Sequence, residues 1–158
     1  MKTWRSSVRA ICLVRSTWQT EVAYLLDTNV VSELRKRVPH PAVLAWHRSQ
    51  ADADVYLSCL VIGEIRQGIE RLRPRDGARA AELDQWLAGL TARYRDWILP
   101  VTAEVAQEWG RLQAVCRSPV IDGLLAATAR VHRLTLVTRN TSDIAGTGVP
   151  AINPFEPS

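Results

Sequence analysis

The sequence predicts an α/β fold: a central, mostly parallel sheet with helices on both faces. Three observations carry that expectation. Short apolar runs of strand length alternate along the chain with longer stretches whose apolar residues recur at helical spacing. The first such run, residues 22–26, is continuously hydrophobic, as a strand buried on both faces is. The chain of 158 residues, 47% hydrophobic and 23% charged, is long enough for one domain with a proper core.

Each element has a local reason. Residues 22–26 form a strand closed by Asp27-Thr28-Asn29, which starts a helix through 30–37. Pro39 and Pro41 punctuate, and a second short helix covers 42–50. A strand at 55–57 leads to Ser58, the cap of a helix over 60–72 with Val61, Ile65, Ile69 and Leu72 on one face. Pro74 and Gly77 break it, and the helix at 77–94 aligns Leu83, Trp86, Leu87, Leu90 and Tyr94. Residues 97–99 are a third strand, closed by Pro100. The helix 103–116 then carries Val105, Trp109, Leu112 and Cys116 on one side. Pro119 precedes a helix at 121–132, followed by a strand at 134–138 and a short one at 149–152.

Residues 1–21 fit none of this. Arginines interrupt every apolar stretch, and the run 10–14 is short for a signal-peptide core. The segment reads as an extension to a single domain at 22–158. Met1 is the only methionine, so a later start would need a non-Met codon, and Val22 is the obvious place.

Composition excludes several chemistries. The formal charge of +4 is concentrated at the start: residues 1–22 carry +3 and the remainder only +1, so no basic footprint argues for nucleic acid. Cys12, Cys59 and Cys116 are scattered without CxxC spacing, which suits a reducing cytoplasm and identifies Cys59 and Cys116 as core filler. His40, His47 and His132 form no metal-binding pair. Neither Lys2 nor Lys36 follows a Gly-rich loop, and no GxGxxG follows a strand, so P-loop and dinucleotide sites are absent. No run approaches the roughly 20 residues of a membrane span.

Four carboxylates stand apart. Asp27 ends the first strand, Glu64 follows Gly63 in an apolar helix, Asp122 opens another, and Asp143 lies just past the strand at 134–138. Asp27 and Asp143 follow strands, while Glu64 and Asp122 are placed in first turns of helices. In a parallel sheet all four fall at one edge, where ligands bind. Like charges about 4 Å apart repel by roughly 4 kcal/mol at an effective dielectric near 20, so a gathering of these groups calls for a cation. With no histidine or cysteine set, an oxygen-loving ion, Mg²⁺ or Mn²⁺, is the candidate. Gly63 and Gly68 flank Glu64 and point either to a close approach at that face or to tight helix packing.

In order, Tyr24-Leu25-Leu26-Asp27-Thr28-Asn29-Val30, Gly63-Glu64-Ile65 with Gly68-Ile69, Ile121-Asp122-Gly123-Leu124-Leu125-Ala126-Ala127-Thr128-Ala129, Leu136-Val137-Thr138-Arg139-Asn140 with Asp143, and Asn153-Pro154-Phe155 resemble the PIN domain. The match is to VapC-type toxins of the FitB-like kind and covers about residues 22–156. The resemblance implies a three-layer sandwich and a Mg²⁺- or Mn²⁺-dependent endoribonuclease that hydrolyses RNA with metal-activated water, leaving a 5′-phosphate. It implies a cytoplasmic toxin, acting as a homodimer and neutralised by an antitoxin seated in a groove between the helices near 42–50 and 60–72. By position, Asp27, Glu64, Asp122 and Asp143 match the family's acidic quartet, as catalytic and metal-binding residues. Thr28, Asn29, Thr138 and Asn140 line the same rim as supporting donors or phosphate contacts. The Arg117-Ser118-Pro119 loop is shorter than the family's usual one, and Ile144 replaces a common phenylalanine.

Arg66, Arg71, Arg73 and Arg139 are candidate backbone contacts against a background of solvated surface charge, and Trp46, Trp86, Trp97 and Trp109 read as core or dimer contacts. Two rivals fare worse. An aspartyl phosphate-transfer domain needs a lysine after residue 36, and none occurs. A catalytically inactive PIN-fold binding module is at odds with the intact quartet.

Overall fold

A computed structural model describes residues 22–156, so the reading of 1–21 as an extension lies outside the described residues. Five strands form one fully parallel sheet in the order β3-β2-β1-β4-β5: β1 Tyr24–Leu26, β2 Val55–Ser58, β3 Ile98–Leu99, β4 Thr135–Val137 and β5 Ala151–Ile152. Six helices connect them: α1 Thr28–Leu34, α2 Pro41–Arg48, α3 Cys59–Leu72, α4 Gly77–Arg93, α5 Ala103–Val115 and α6 Val120–His132. The predicted elements all form, with shifted ends. β1 starts at Tyr24, because only residues 24–26 have ladder partners on both β2 and β4. α1 starts at Thr28 and ends at Leu34, with Asp27 as its cap.

The chain moves from β1 through β2 to β3 in one direction across the sheet, then crosses back to β4 and β5. Right-handed crossovers place α1–α4 on one face and α5 and α6 on the other. The helix–helix contacts agree: α3 packs on α4, and α5 on α6. Leu25, Leu26, Leu57, Leu136 and Val137 fill the centre, each at most 2% exposed, and α3 adds Val61, Ile65 and Ile69. Each fully buried aliphatic side chain contributes about 1.5–3 kcal/mol.

Local signals set the helix starts. Ser58 Oγ accepts from Leu60 N, Asp76 Oδ1 from Arg79 N, and Thr102 Oγ1 from Val105 N. α2 begins with Pro41, and α6 ends on Arg133 in the left-handed conformation, φ 57°. No described helix is long and apolar enough to cross a membrane.

One expectation fails, and one of two alternatives drops out. Cys59 is exposed, because it is the first residue of α3 and faces away from the sheet's core, and Cys116 is only half-buried; neither is core filler. Tight packing does not explain Gly63 and Gly68, since a Cβ at either would meet nothing within 4 Å. The tryptophans Trp46, Trp86 and Trp109 do pack against the core, Trp46 edge-on to Tyr24 with ring centroids 5.2 Å apart.

Candidate metal centre

β1 and β4 are neighbours, yet their chain connections leave in opposite directions. The crevice at their carboxyl ends is thus the topological switch point of the sheet, where open parallel sheets bind ligands. Asp27 leaves β1 there and Thr138 leaves β4. The Asp27 N–H donates to the Val137 carbonyl at 2.9 Å, and Thr138 Oγ1 donates to Asp27 Oδ2 at 2.8 Å. Asp27 Oδ1 accepts from Thr28 N at 2.6 Å, and Asn29 Nδ2 reaches Oδ2 at 3.3 Å. Asp27 is only 5% exposed, so the carboxylate depends on these donors.

Glu64 joins from α3. It is the sixth residue of that helix, in its second turn rather than its first, because α3 starts at Cys59 directly after the strand. Thr28 Oγ1 donates to Glu64 Oε2 at 2.5 Å, tying the start of α1 to α3. Asp122 lies in the first turn of α6. Asp143 lies in a 3₁₀ stretch, Thr141–Thr147, after β4, with Ser142 Oγ at 3.4 Å. Electrostatics link all four. The Asp122 carboxyl is held above its ordinary range, first by burial, then by the charges of Asp27, Asp143 and Glu64. The structure therefore brings the four predicted acids into one electrostatic neighbourhood.

The supporting residues divide. Thr28, Asn29 and Thr138 all hydrogen-bond to an acid of the quartet. Asn140 acts through its backbone, its N–H donating to Thr138 Oγ1 at 3.1 Å, while its side chain is exposed. The quartet offers only oxygen donors and excess negative charge, the chemistry of a hard divalent cation. Among the described residues no three such side chains form a ready-made cage. Mg²⁺ keeps several waters and uses one or two carboxylates, so an open arrangement of this kind fits it.

Elsewhere the arginines separate. Arg66 and Arg73 are both engaged by Glu70 and Asp84, which leaves them committed to an α3–α4 ion-pair network. Arg139 stacks over Phe155, 5.1 Å from the ring centroid. An apolar hollow of about 380 Å³ lies on the α1–α4 face. Val31, Leu34, His47, Trp86 and Leu90 line it, so α1, α2 and α4 form it, and α3 contributes no lining residue. α4 starts 29 residues after α2 ends, and only tertiary packing brings them together.

A parallel sheet with acids at its switch point defines the class, and a family model agrees: the PIN domain model matches residues 24–145, so the chain belongs to the PIN domain family. Within that family it is of the VapC type and FitB-like. It is 35% identical over 140 residues to VapC ribonuclease Y4jK of Sinorhizobium fredii, covering 85% of this chain and 99% of the relative. Toxin FitB of Neisseria gonorrhoeae is 33% identical over 137 residues, 83% of this chain and 97% of the toxin. The crystal structure of FitAcB from Neisseria gonorrhoeae superposes with a TM-score of 0.79 at 32% identity, covering 85% of this chain and 99% of the matched one. A structure of FitAB bound to an IR36 DNA fragment matches with the same TM-score at 30% identity, covering 85% and 97%.

Proposed function

We propose that this protein is a Mg²⁺- or Mn²⁺-dependent endoribonuclease, the toxin of a cytoplasmic toxin–antitoxin pair. The observation that carries the reading is the quartet itself. Burial, and after it the charges of Asp27, Asp143 and Glu64, raise the proton affinity of Asp122 at the ligand-binding edge of the sheet, an arrangement that costs stability. The relatives' names, VapC ribonuclease and toxin FitB, supply the substrate class and the biological setting. Complexes of FitB with FitA, one of them on DNA, support a protein antitoxin as partner. The hollow between α1, α2 and α4 is the groove we assign to it, and a homodimer is the assembly we expect.

Asp27 and Asp122 are the principal metal ligands in this reading, with Glu64 and Asp143 completing the acidic rim. The chemistry a bound ion supplies is activation of water and neutralisation of charge on the RNA phosphodiester. Thr138 and Asn29 orient the Asp27 carboxylate, and Thr28 orients that of Glu64. Asp122, with its raised proton affinity, is a carboxylate whose charged form a nearby cation would favour.

The test is RNA cleavage by the purified protein with Mg²⁺ or Mn²⁺, against an EDTA control. Cleavage should require the metal, and Asp27→Asn and Asp122→Asn should each lower it by at least about 100-fold, since even outer-shell partners of a metal site are worth 10–100-fold. The asparagine at 27 keeps the α1 cap, so folding is retained. Metal-independent cleavage, or either variant cutting at the parent rate, would exclude this assignment.

A further inference from the structure

The four acids are held in place by two different means. Asp27 and Glu64 receive side-chain hydrogen bonds from threonines on neighbouring elements. Asp143 has only the long Ser142 contact, and Asp122 accepts no hydrogen bond from a described side chain. Their placement must come from the backbone that carries them. Each of those backbones has a glycine pressed against the same short connector.

Gly123 follows Asp122 in the first turn of α6. A Cβ there would lie 2.7 Å from Ser118 Oγ and 3.1 Å from both Gln113 Nε2 and Trp109 Nε1. Gly146 follows Asp143 by three residues, and its Cβ would lie 2.9 Å from Cys116 Sγ and 3.2 Å from Cys116 Cβ. Neither glycine has positive φ; Gly148 alone does among the described glycines. Space, not backbone conformation, is what these two positions demand. In a helix interior alanine is favoured over glycine by about 1 kcal/mol, so Gly123 stands against local propensity. The connector is itself fixed: Gln113 Nε2 donates to the Ser118 carbonyl at 2.9 Å, and Gly123 N to the Pro119 carbonyl at 2.9 Å.

We propose that the α5–α6 connector, residues 116–119, is the positioning element for Asp122 and Asp143, with Ser118 and Cys116 setting their backbones through contact with Gly123 and Gly146. This rests on the reading that the quartet binds a divalent cation. The connector touches neither metal nor RNA; it fixes where two of the ligands stand. Its shortness brings Cys116 and Ser118 within two residues of each other, so one segment registers both acids at once.

The experiment measures Mn²⁺ binding, metal alone, to the full-length protein by calorimetry and electron paramagnetic resonance, with thermal melting in parallel. Gly123→Ala should weaken Mn²⁺ binding about tenfold, the scale of a lost supporting contact, with a cooperative melt. Ser118→Ala removes the Oγ that abuts Gly123 and should by itself weaken Mn²⁺ binding, by less than Gly123→Ala does, because a gap displaces the turn less than a clash. The double variant Gly123→Ala/Ser118→Ala should recover most of the loss. Gly146→Ala should behave like Gly123→Ala, with partial recovery when Cys116→Ala is added. Gly146 is exposed, so that arm carries the test alone if Gly123→Ala does not fold. Folded glycine variants with parental affinity, or a loss that Ser118→Ala and Cys116→Ala fail to relieve, would overturn the proposal. In that case the parent still binds Mn²⁺ and only the connector's role is lost. A parent that binds no Mn²⁺, or an Asp27→Asn variant that binds it as tightly as the parent, removes the metal assignment and the connector with it.

Discussion

Asp27 and Glu33 sit at opposite ends of one seven-residue helix, α1, and are buried to similar depth, 5% and 8% exposed. Glu33 is fully answered. His40 N donates to Oε1 at 2.8 Å and Lys36 Nζ to Oε2 at 2.5 Å, and these partners hold its carboxyl below the ordinary range, Lys36 foremost. At the other end, Asp27 adds its charge to a group whose shared effect on Asp122 runs the opposite way. Burial alone does not distinguish a structural acid from a functional one. The sign of the electrostatic imbalance does: a satisfied acid ties α1 to α2, and an unsatisfied set invites a cation.

The sharpest way to break this contrast is activity. Glu33→Gln should cut RNA at close to the parental rate, whereas loss of Asp27 removes cleavage; a large catalytic defect in Glu33→Gln would erase the distinction. Next comes the support of the acidic end. Thr138→Val deletes the buried donor to Asp27 and should weaken Mn²⁺ binding about tenfold, as titration calorimetry would show.

Stability separates the two ends further. Glu33→Gln should lower unfolding free energy by about 1–2 kcal/mol, the value of a hydrogen bond to a charged group discounted for the exposed Lys36 partner, measured by urea denaturation. Because the folded-state pKa of Glu33 is depressed, its contribution is present above the ordinary glutamate value and is lost as pH falls through the lower, folded value. The deficit of Glu33→Gln should shrink in acid accordingly. Asp122 has the opposite sign. Its raised pKa makes the charged form a cost that is absent below the ordinary aspartate value and complete above the raised one. Asp122→Asn should therefore raise the melting temperature of the metal-free protein by a few degrees at neutral pH, with the gain fading as pH falls. No gain at neutral pH would mean that the acids do not strain the fold.

Much of this was legible in the chain because the signals are local. Asp27 and Asp122 announce themselves by sitting where an apolar strand ends and an apolar helix begins, and Asp143 by following a strand. Glu33 gave no such signal: Lys36, three residues on, looks like an ordinary helix pair, and its other partner is the backbone of His40, seven residues away across a loop. Cys59 looked like core because its neighbours are apolar, but the first position of α3 faces outward. Which helix lies beside α2 is decided by crossover direction over the whole sheet, and no local pattern encodes it.

The bond between Asp27 and Thr138 joins residues 111 positions apart in the chain. A ribosome that has delivered α3 but not yet β4 has made a segment carrying Asp27 and Glu64 with neither the Thr138 donor nor Asp143. Fragments of that length therefore lack the complete set of four acids and the donor that orients the first of them. The acidic edge is complete only once nearly the entire polypeptide has emerged and closed upon itself.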